Sequence, residues 1–196
     1  MSGWRAWTNR LRRRVARLFF FRMLFGEASR GRRLPHTRIS AASCIEHEDR
    51  LRLGDHVYIG PFNFIEASGG ITIEEGVQIT SHVSIVTHSS HRAMRLLGRE
   101  YVGWAGERPG WVAGAVHIGA YSFIGPQVLI EAGTLLGRGT LVRAGSIVRG
   151  QFPDFAVLDG RPAQVVGDAR ERDEALLQRH PELRAHYDAW THSSPP

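Results

Sequence analysis

A repeat with a period of six residues dominates the second half of the chain. Branched aliphatic residues recur at this spacing six times in succession, at Ile118, Ile124, Ile130, Leu136, Val142 and Val148. A helix with 3.6 residues per turn does not hold this spacing, and neither does the two-residue alternation of a strand. The repeat therefore predicts a chain that returns to the same place every six residues, as in a parallel β-helix.

The same repeat occurs upstream, which lengthens the predicted β-helix. An earlier run passes through Leu53, Ile59 and Ile65, slips by two residues at 68–70, and resumes from Ile73. With Ile39 and Ile45 included, we expect about 12 to 14 rungs, because each rung contributes one aliphatic residue to the column. Stacked coils are needed to bury that column. A β-sandwich of short strands is the alternative, but it would not keep a period of six for so long.

Positive charge is concentrated at the N-terminus. The net charge is +6, yet residues 1–33 contain ten arginines and one acidic residue, Glu27, whereas the remaining residues carry 15 basic and 18 acidic side chains. Apolar residues recur between the arginines at helical spacing, at Trp4, Trp7, Leu11, Val15, Leu18 and Phe25. This pattern predicts a basic amphipathic arm over residues 1–36.

The N-terminal arm could bind either a membrane surface or another part of the protein. Arg17 and Arg22 interrupt any apolar run of the roughly 20 residues that a membrane span needs, and the short apolar block is a poor signal peptide. A basic helix bearing Trp and Phe can bind an anionic membrane surface, or it can pack on the β-helix or a partner subunit.

No recognition motif supports nucleic-acid binding. The single cysteine, Cys44, fits a reducing compartment. We expect a cytoplasmic protein, peripheral at the inner face of the membrane if the arm binds lipid.

The C-terminal segment, residues 168–196, is charged and carries scattered apolar residues. Pro181 should divide it into two short helices, and residues 193–196 should form a loose end.

The repeat is interrupted between Ile85 and Ile118 by an excursion loop over residues 86–115. Long irregular loops on a rigid repeat often carry function. This one opens with His88 and His91, and histidine suits general-base chemistry near neutral pH. The loop also carries three aromatic residues, Tyr101, Trp104 and Trp111. Their flat faces suit stacking on sugar rings or packing against the β-helix.

The repeat and the segment ITIEEGVQITSHVSIVTHSSH resemble the hexapeptide-repeat acyltransferases. The resemblance extends over about residues 40–167 and is strongest to the maltose and galactoside O-acetyltransferases and the polysaccharide O-acetyltransferases. It implies an all-β fold: a left-handed parallel β-helix of hexapeptide repeats, over residues 37–167 here, with N- and C-terminal helical appendages. It also implies a homotrimer with active sites in the clefts between neighbouring β-helices.

The resemblance also implies catalytic residues. The family's histidine follows a rung aliphatic by about five residues, which falls on Ser90; His91 lies one residue later and His88 two earlier. Many relatives carry a His-x-His pair whose second member is catalytic, so we favour His91 over His88. Asn63 occupies a slot that is aliphatic in other rungs. The family has an Asn or Asp there that orients the acceptor or the histidine; a turn asparagine satisfied by backbone is the other interpretation.

The end of the repeat resembles the family's closing motif, which holds coenzyme A (CoA). By position, Pro126, Ala144 and Arg149 fall on CoA-contacting sites. The family often has a Thr-Lys pair where this chain has Arg149-Gly150, so Arg161 is expected to supply charge toward a CoA phosphate.

These features predict an acetyl-CoA-dependent O-acetyltransferase of polysaccharide biosynthesis. Acetyl-CoA would be the co-substrate and a saccharide or glycan precursor the acceptor. Histidine would act as general base in a direct transfer, without an acyl-enzyme and without a metal. Two alternatives remain open. One is a non-enzymatic trimeric scaffold at a membrane surface. The other is a γ-class carbonic anhydrase whose zinc ligands would be His82, His88 and His117.

Overall fold

Short strands make up most of the fold. The computed structural model describes residues 3–192. Its strands are β1 (Met23–Ser29), β2 (Arg32–Ser40), β3 (Cys44–Glu46), β4 (Leu51–Leu53), β5 (Tyr58–Ile59), β6 (Phe64–Glu66), β7 (Ile71–Ile73), β8 (Gln78–Ile79), β9 (Ser84–Val86), β10 (His88–Ser89), β11 (Val112–Ala113), β12 (Val116–Ile118), β13 (Phe123–Ile124), β14 (Leu129–Ile130), β15 (Leu135–Leu136), β16 (Leu141–Val142), β17 (Ile147–Val148), β18 (Gln151–Phe152), β19 (Ala156–Gly160) and β20 (Ala163–Asp168). The α-helices are α1 (Gly3–Phe20), α2 (His91–Leu97), α3 (Arg170–Leu177) and α4 (Arg184–Thr191).

Consecutive strands alternate among three parallel sheets and form a three-faced prism. Face A contains β2, β5, β8, β13, β16 and β19; face B contains β3, β6, β9, β14 and β17; face C contains β4, β7, β12, β15 and β18. The parallel stacking predicted from the repeat is confirmed. The prism has more rungs than expected, because β18 and β19 continue it beyond Val148.

The core is a column of aliphatic side chains at the centre of the prism. In face C, Ile118 lies in register with Ile73 on one side and Leu136 on the other, and all three are buried. The other faces stack their rung residues in the same way. Burying one such side chain contributes about 1.5–3 kcal/mol, so the repeated register supplies the main stabilising term of the fold.

The N-terminal segment is a helix followed by a hairpin. The helical stripe predicted to reach Phe25 is wrong beyond Phe20, because Met23–Ser29 pairs antiparallel with Arg32–Ser40. Arg30 and Gly31 both adopt positive φ at the turn, as hairpin turns of this kind require. The arm therefore ends earlier than residue 36, and its predicted boundary falls inside β2. Among residues 3–192, no helix has both the length and the apolar character needed to span a bilayer.

The C-terminal helices pack along the edge between faces C and A. Pro181 begins a short 3₁₀ turn between α3 and α4. The Trp190 ring in α4 lies 4.6 Å from the Tyr121 ring and 5.7 Å from the Phe155 ring, centroid to centroid. Residues 193–196, predicted to form a loose end, lie outside the described residues.

Candidate active site

The excursion leaves face B after β9 and returns to face C at β12. Its two ends pair as a short antiparallel ribbon, in which His88 of β10 lies opposite Ala113 of β11. Between them the chain forms α2 and a 3₁₀ turn. The ribbon fixes the base of the excursion to the rigid prism and holds His88 at the edge between faces B and C.

His88 is hydrogen-bonded to a buried glutamate of the preceding coil. Its Nδ1 lies 2.8 Å from Glu66 Oε2 and 3.0 Å from Ser68 Oγ. Glu66 ends β6 and lies in register with Val86 of β9, so its side chain meets the residues that begin the excursion. The Glu66 side chain is 5% exposed and the His88 side chain 31% exposed. Among the described residues, no hydrogen bond reaches His88 Nε2.

The Glu66 carboxylate is held in its ionised form. Oε1 accepts a hydrogen bond from the Ser68 amide at 2.7 Å. Oε2 accepts from the Thr87 amide at 3.1 Å and from the Thr87 hydroxyl at 2.7 Å. Burial raises the pKa of Glu66, but the hydrogen bonds from Ser68 and Thr87 outweigh it and lower the pKa to about 2. An ionised carboxylate accepts the Nδ1 proton, so the lone pair of neutral His88 lies on Nε2.

Trp111 covers one face of the His88 ring. The two rings are stacked, with centroids 4.7 Å apart and planes 7° from parallel. The Arg108 guanidinium lies 6.0 Å from the Trp111 ring and 4.9 Å from the Tyr101 ring. This packing restricts the orientation of His88. Trp104, elsewhere in the excursion, is partly exposed and donates its indole N–H to the Glu107 carbonyl.

The structure does not bring His91 to a carboxylate. His91 is the first residue of α2 and is exposed, and its Nδ1 lies 2.6 Å from Ser89 Oγ. The chain turns into the helix immediately after Ser90, so His91 leaves the ribbon that holds His88 against the prism. The sequence-based preference for His91 over His88 is not supported by this geometry.

Asn63 serves the backbone of the prism. It precedes β6, at the edge between faces A and B, and is 2% exposed. Its amide nitrogen donates to the Gly60 carbonyl at 2.9 Å and the Thr80 carbonyl at 2.8 Å, while its amide oxygen accepts from the Val83 amide at 2.7 Å. The amide thereby joins two coils. These contacts agree with the interpretation of Asn63 as a turn asparagine whose side chain is satisfied by backbone groups.

The residues predicted to contact CoA lie on two edges of the prism. Pro126, Ala144 and Arg161 share the edge between faces A and B, where the Gly145 amide donates to the Pro126 carbonyl and Arg161 Nε donates to the Gly145 carbonyl. Arg149 lies on the edge between faces B and C, two coils beyond His88, with its guanidinium 4.0 Å from Glu131. All four of the predicted residues are exposed.

The histidines proposed as zinc ligands do not meet within one chain. His82 packs against the Phe62 ring at 5.0 Å, and His117 Nε2 lies 3.2 Å from Glu74. Within residues 3–192, the group of His, Cys, Asp or Glu side chains close enough to share a metal ion is His36, Asp55 and His56, at a different corner of the prism.

Sequence analysis missed Glu66. The signal was present, since an acidic residue follows the rung aliphatic Ile65 where glycine follows Leu53 and Ile59. Its significance depends on the register between coils, which brings together two residues that are 22 positions apart in sequence.

The chain resembles a known protein over most of its length. No protein-family model matches it. A probable acetyltransferase of Mycobacterium tuberculosis is 31% identical over 139 residues, which are 71% of this chain and 44% of that protein. The chain thus spans less than half the length of this relative.

Solved structures show the same fold. An acetyltransferase with hexapeptide repeats from Vibrio cholerae, in complex with acetyl-CoA, has a TM-score of 0.55 and 22% identity, covering 65% of this chain and 64% of that one. A galactoside acetyltransferase in complex with CoA has a TM-score of 0.52 and 23% identity, covering 67% and 62%. The resemblance to the hexapeptide-repeat acyltransferases is therefore confirmed.

Proposed function

We propose that this protein is an acetyl-CoA-dependent O-acetyltransferase that acts on a hydroxyl of a saccharide or glycan precursor. The fold is shared with acetyltransferases that bind acetyl-CoA or CoA. The observation that carries the proposal is the pair of Glu66 and His88, whose Nε2 has no hydrogen-bond partner among residues 3–192. A histidine oriented by a buried carboxylate has the arrangement of a general base.

The reaction needs one histidine and no covalent intermediate. His88 Nε2 takes the proton of the acceptor hydroxyl while the oxygen attacks the thioester carbonyl of acetyl-CoA. The tetrahedral intermediate then collapses, the C–S bond breaks, and the CoA thiolate leaves. The proton on His88 passes to that sulfur, which regenerates the base. Glu66 stabilises the imidazolium that exists between these two proton transfers.

The predicted CoA residues suit a cleft between two subunits of a homotrimer. His88 and Arg149 lie on one edge of the prism, while Pro126, Ala144 and Arg161 lie on another. A ligand that contacts both sets would bridge the edges of two neighbouring prisms. This division supports the homotrimer that the resemblance implies. The left-handed winding of the β-helix is proposed on the resemblance alone.

The acceptor is proposed from the aromatic lining of the excursion. Trp111 stacks on His88 and is partly exposed, and Trp104 of the same excursion is also partly exposed. Flat aromatic faces bind sugar rings by stacking. This supports a saccharide acceptor and a place in polysaccharide biosynthesis.

We also propose that α1 holds the enzyme at the inner face of a membrane. Its arginines carry the positive charge, and no acidic residue lies in its first turn. The large apolar residues of the helix are exposed, with Trp4 at 71% and Phe19 at 72%. A trimeric scaffold at a membrane would share this feature, so catalysis separates the two functions.

The decisive experiment compares two histidine variants. We expect His88→Ala to lower kcat by about 10²–10⁴-fold, the usual contribution of a general base. His91→Ala is the matched control and should retain kcat within a few-fold. Turnover is followed by the release of free CoA thiol, with galactosides and maltose as first acceptors and an amino sugar as the competing class. Binding of acetyl-CoA is measured by calorimetry on every variant.

Three outcomes would contradict the proposal in different ways. An inactive His91→Ala with an active His88→Ala would restore the base preferred from the sequence. Activity in both variants would exclude a histidine base at this site. Absence of acetyl-CoA binding by the wild-type protein would favour the scaffold.

A further inference from the structure

A second cluster of chemically active side chains lies at the first corner between faces C and A. His36 belongs to β2, and Asp55 and His56 lie between β4 and β5. The imidazole rings of His36 and His56 stack with centroids 4.5 Å apart and planes 19° from parallel. One nitrogen of each ring and one carboxylate oxygen of Asp55 all lie within 4.8 Å of one another.

The backbone fixes the Asp55 carboxylate at this corner. Oδ1 accepts hydrogen bonds from the His36 and His56 amides, each at 2.9 Å, and from the Thr37 hydroxyl at 3.3 Å. Burial raises the pKa of Asp55, but the amides of His56 and His36 outweigh it and lower the pKa. Among residues 3–192, no hydrogen bond or ion pair reaches Oδ2.

The prism contains a second corner of the same kind for comparison. Asp154 lies between faces C and A in the last coil, and its Oδ1 accepts from the Arg138 amide at 2.9 Å, as Asp55 Oδ1 does from the His36 amide. The other oxygen of Asp154 lies 3.3 Å from Arg138 Nε. A guanidinium therefore balances the second carboxylate oxygen at one corner, whereas at the other corner the imidazoles of His36 and His56 lie close to the Asp55 carboxylate.

We propose that His36, Asp55 and His56 bind a divalent transition-metal ion, with zinc as the ion of reference and water completing the coordination. Two imidazoles and one carboxylate favour zinc, copper or nickel over magnesium and calcium, which prefer oxygen ligands. Zinc–ligand bonds of about 2.0–2.1 Å place tetrahedral ligands about 3.3 Å apart. The side chains of His36 and His56 are exposed, so rotation about their χ angles closes the remaining distance.

Such an ion would join the first coil to the second. His36 lies on the first strand of face A, and His56 enters the next strand of that face, with which β2 pairs in parallel. Because the metal binds the folded arrangement, it stabilises the N-terminal end of the prism by mass action. This role does not involve His88 and is independent of the proposed acetyl transfer.

The test uses full-length, untagged protein freed of metal. Cobalt(II) absorption in the visible range reports coordination geometry, and calorimetric titration with zinc chloride gives stoichiometry and affinity. We expect one zinc ion per chain in the wild-type protein. His36→Ala and His56→Ala should each weaken binding at least tenfold. His180→Ala, which removes an exposed histidine of the C-terminal segment, should bind zinc as the wild type does.

Two results would overturn the proposal: no zinc binding by the wild-type protein up to millimolar concentration, or unchanged affinity in both His36→Ala and His56→Ala. A second measurement needs no variant. Zinc should protect His36 and His56 of the wild-type protein from diethylpyrocarbonate while leaving His180 reactive, as read by mass spectrometry. Equal modification of the three histidines with and without zinc would also exclude the site.

Discussion

Glu66 and His88 are adjacent because the prism places each residue beside its counterpart one coil away. Glu66 pairs in register with Val86, and His88 follows two residues later. Ser68 and Thr87 donate hydrogen bonds to the same carboxylate, so removing the charge would leave these donors with a weaker acceptor. We regard Glu66 as a positioning residue that acts through His88.

The depressed pKa of Glu66 predicts a pH-dependent contribution to stability. Its folded-state pKa of about 2 lies below the ordinary value of 4.5. The carboxylate therefore contributes its full stabilisation above about pH 5 and loses it as the pH falls toward 2. Between pH 6 and pH 3 we expect wild type to lose about 2 kcal/mol more unfolding free energy than Glu66→Gln does. Denaturant unfolding at the two pH values measures this difference, and equal losses in both proteins would contradict the assigned pKa.

At the scale of elements, α1 stands apart from the prism. The ring contact between Phe21, just beyond the helix, and Phe62 is T-shaped, with centroids 5.3 Å apart. The apolar residues of α1 are exposed along its length, including Trp7 and Leu18. Under the proposed membrane role, we expect this helix to bind anionic lipid, with each charge near the membrane contributing about 1 kcal/mol.

Deleting residues 2–20 should therefore abolish membrane binding and leave the prism intact. The deletion ends before Met23 because β1 and β2 form a hairpin on face A. We expect full-length protein to sediment with vesicles containing phosphatidylserine at low salt, with partial release at high salt as charges are screened. Neutral phosphatidylcholine vesicles are the control. If the truncated protein aggregates or loses its oligomeric state, α1 packs on protein and the membrane proposal fails.

At the scale of the whole molecule, each face of the prism exposes large apolar side chains. Phe64 on face B, Phe123 on face A and Leu135 on face C point away from the buried column and remain partly accessible. Contiguous apolar patches mark protein–protein interfaces, and partly exposed side chains of this size on every face are compatible with contacts between subunits.

We expect a homotrimer, with a mass three times the 21.9 kDa of one chain. Light scattering coupled to size-exclusion chromatography measures this mass, both for the full chain and for the protein lacking residues 2–20. A monomer at micromolar concentration would leave the predicted CoA residues on separate edges of one prism, and the cleft between subunits would have to be abandoned.

The six-residue period determined the parallel stacking. Because each coil must bury one part of the same aliphatic column, every rung carries an aliphatic residue at the same position. The pattern is therefore visible in any short stretch of the sequence. Pro181 and the basic N-terminal segment were likewise visible as local signals. The interruption of the period marks the excursion, and the sequence names both His88 and His91 within it, with His91 preferred.

Only the tertiary structure decided which side chains meet there. His88 rather than His91 contacts Glu66, because the register between coils joins positions 22 residues apart and the chain turns into α2 after Ser90. Phe25 continues the helical spacing in sequence, yet it pairs in a hairpin with Arg38. In both cases the outcome depends on how strands pair, which the spacing of apolar residues along the chain does not encode.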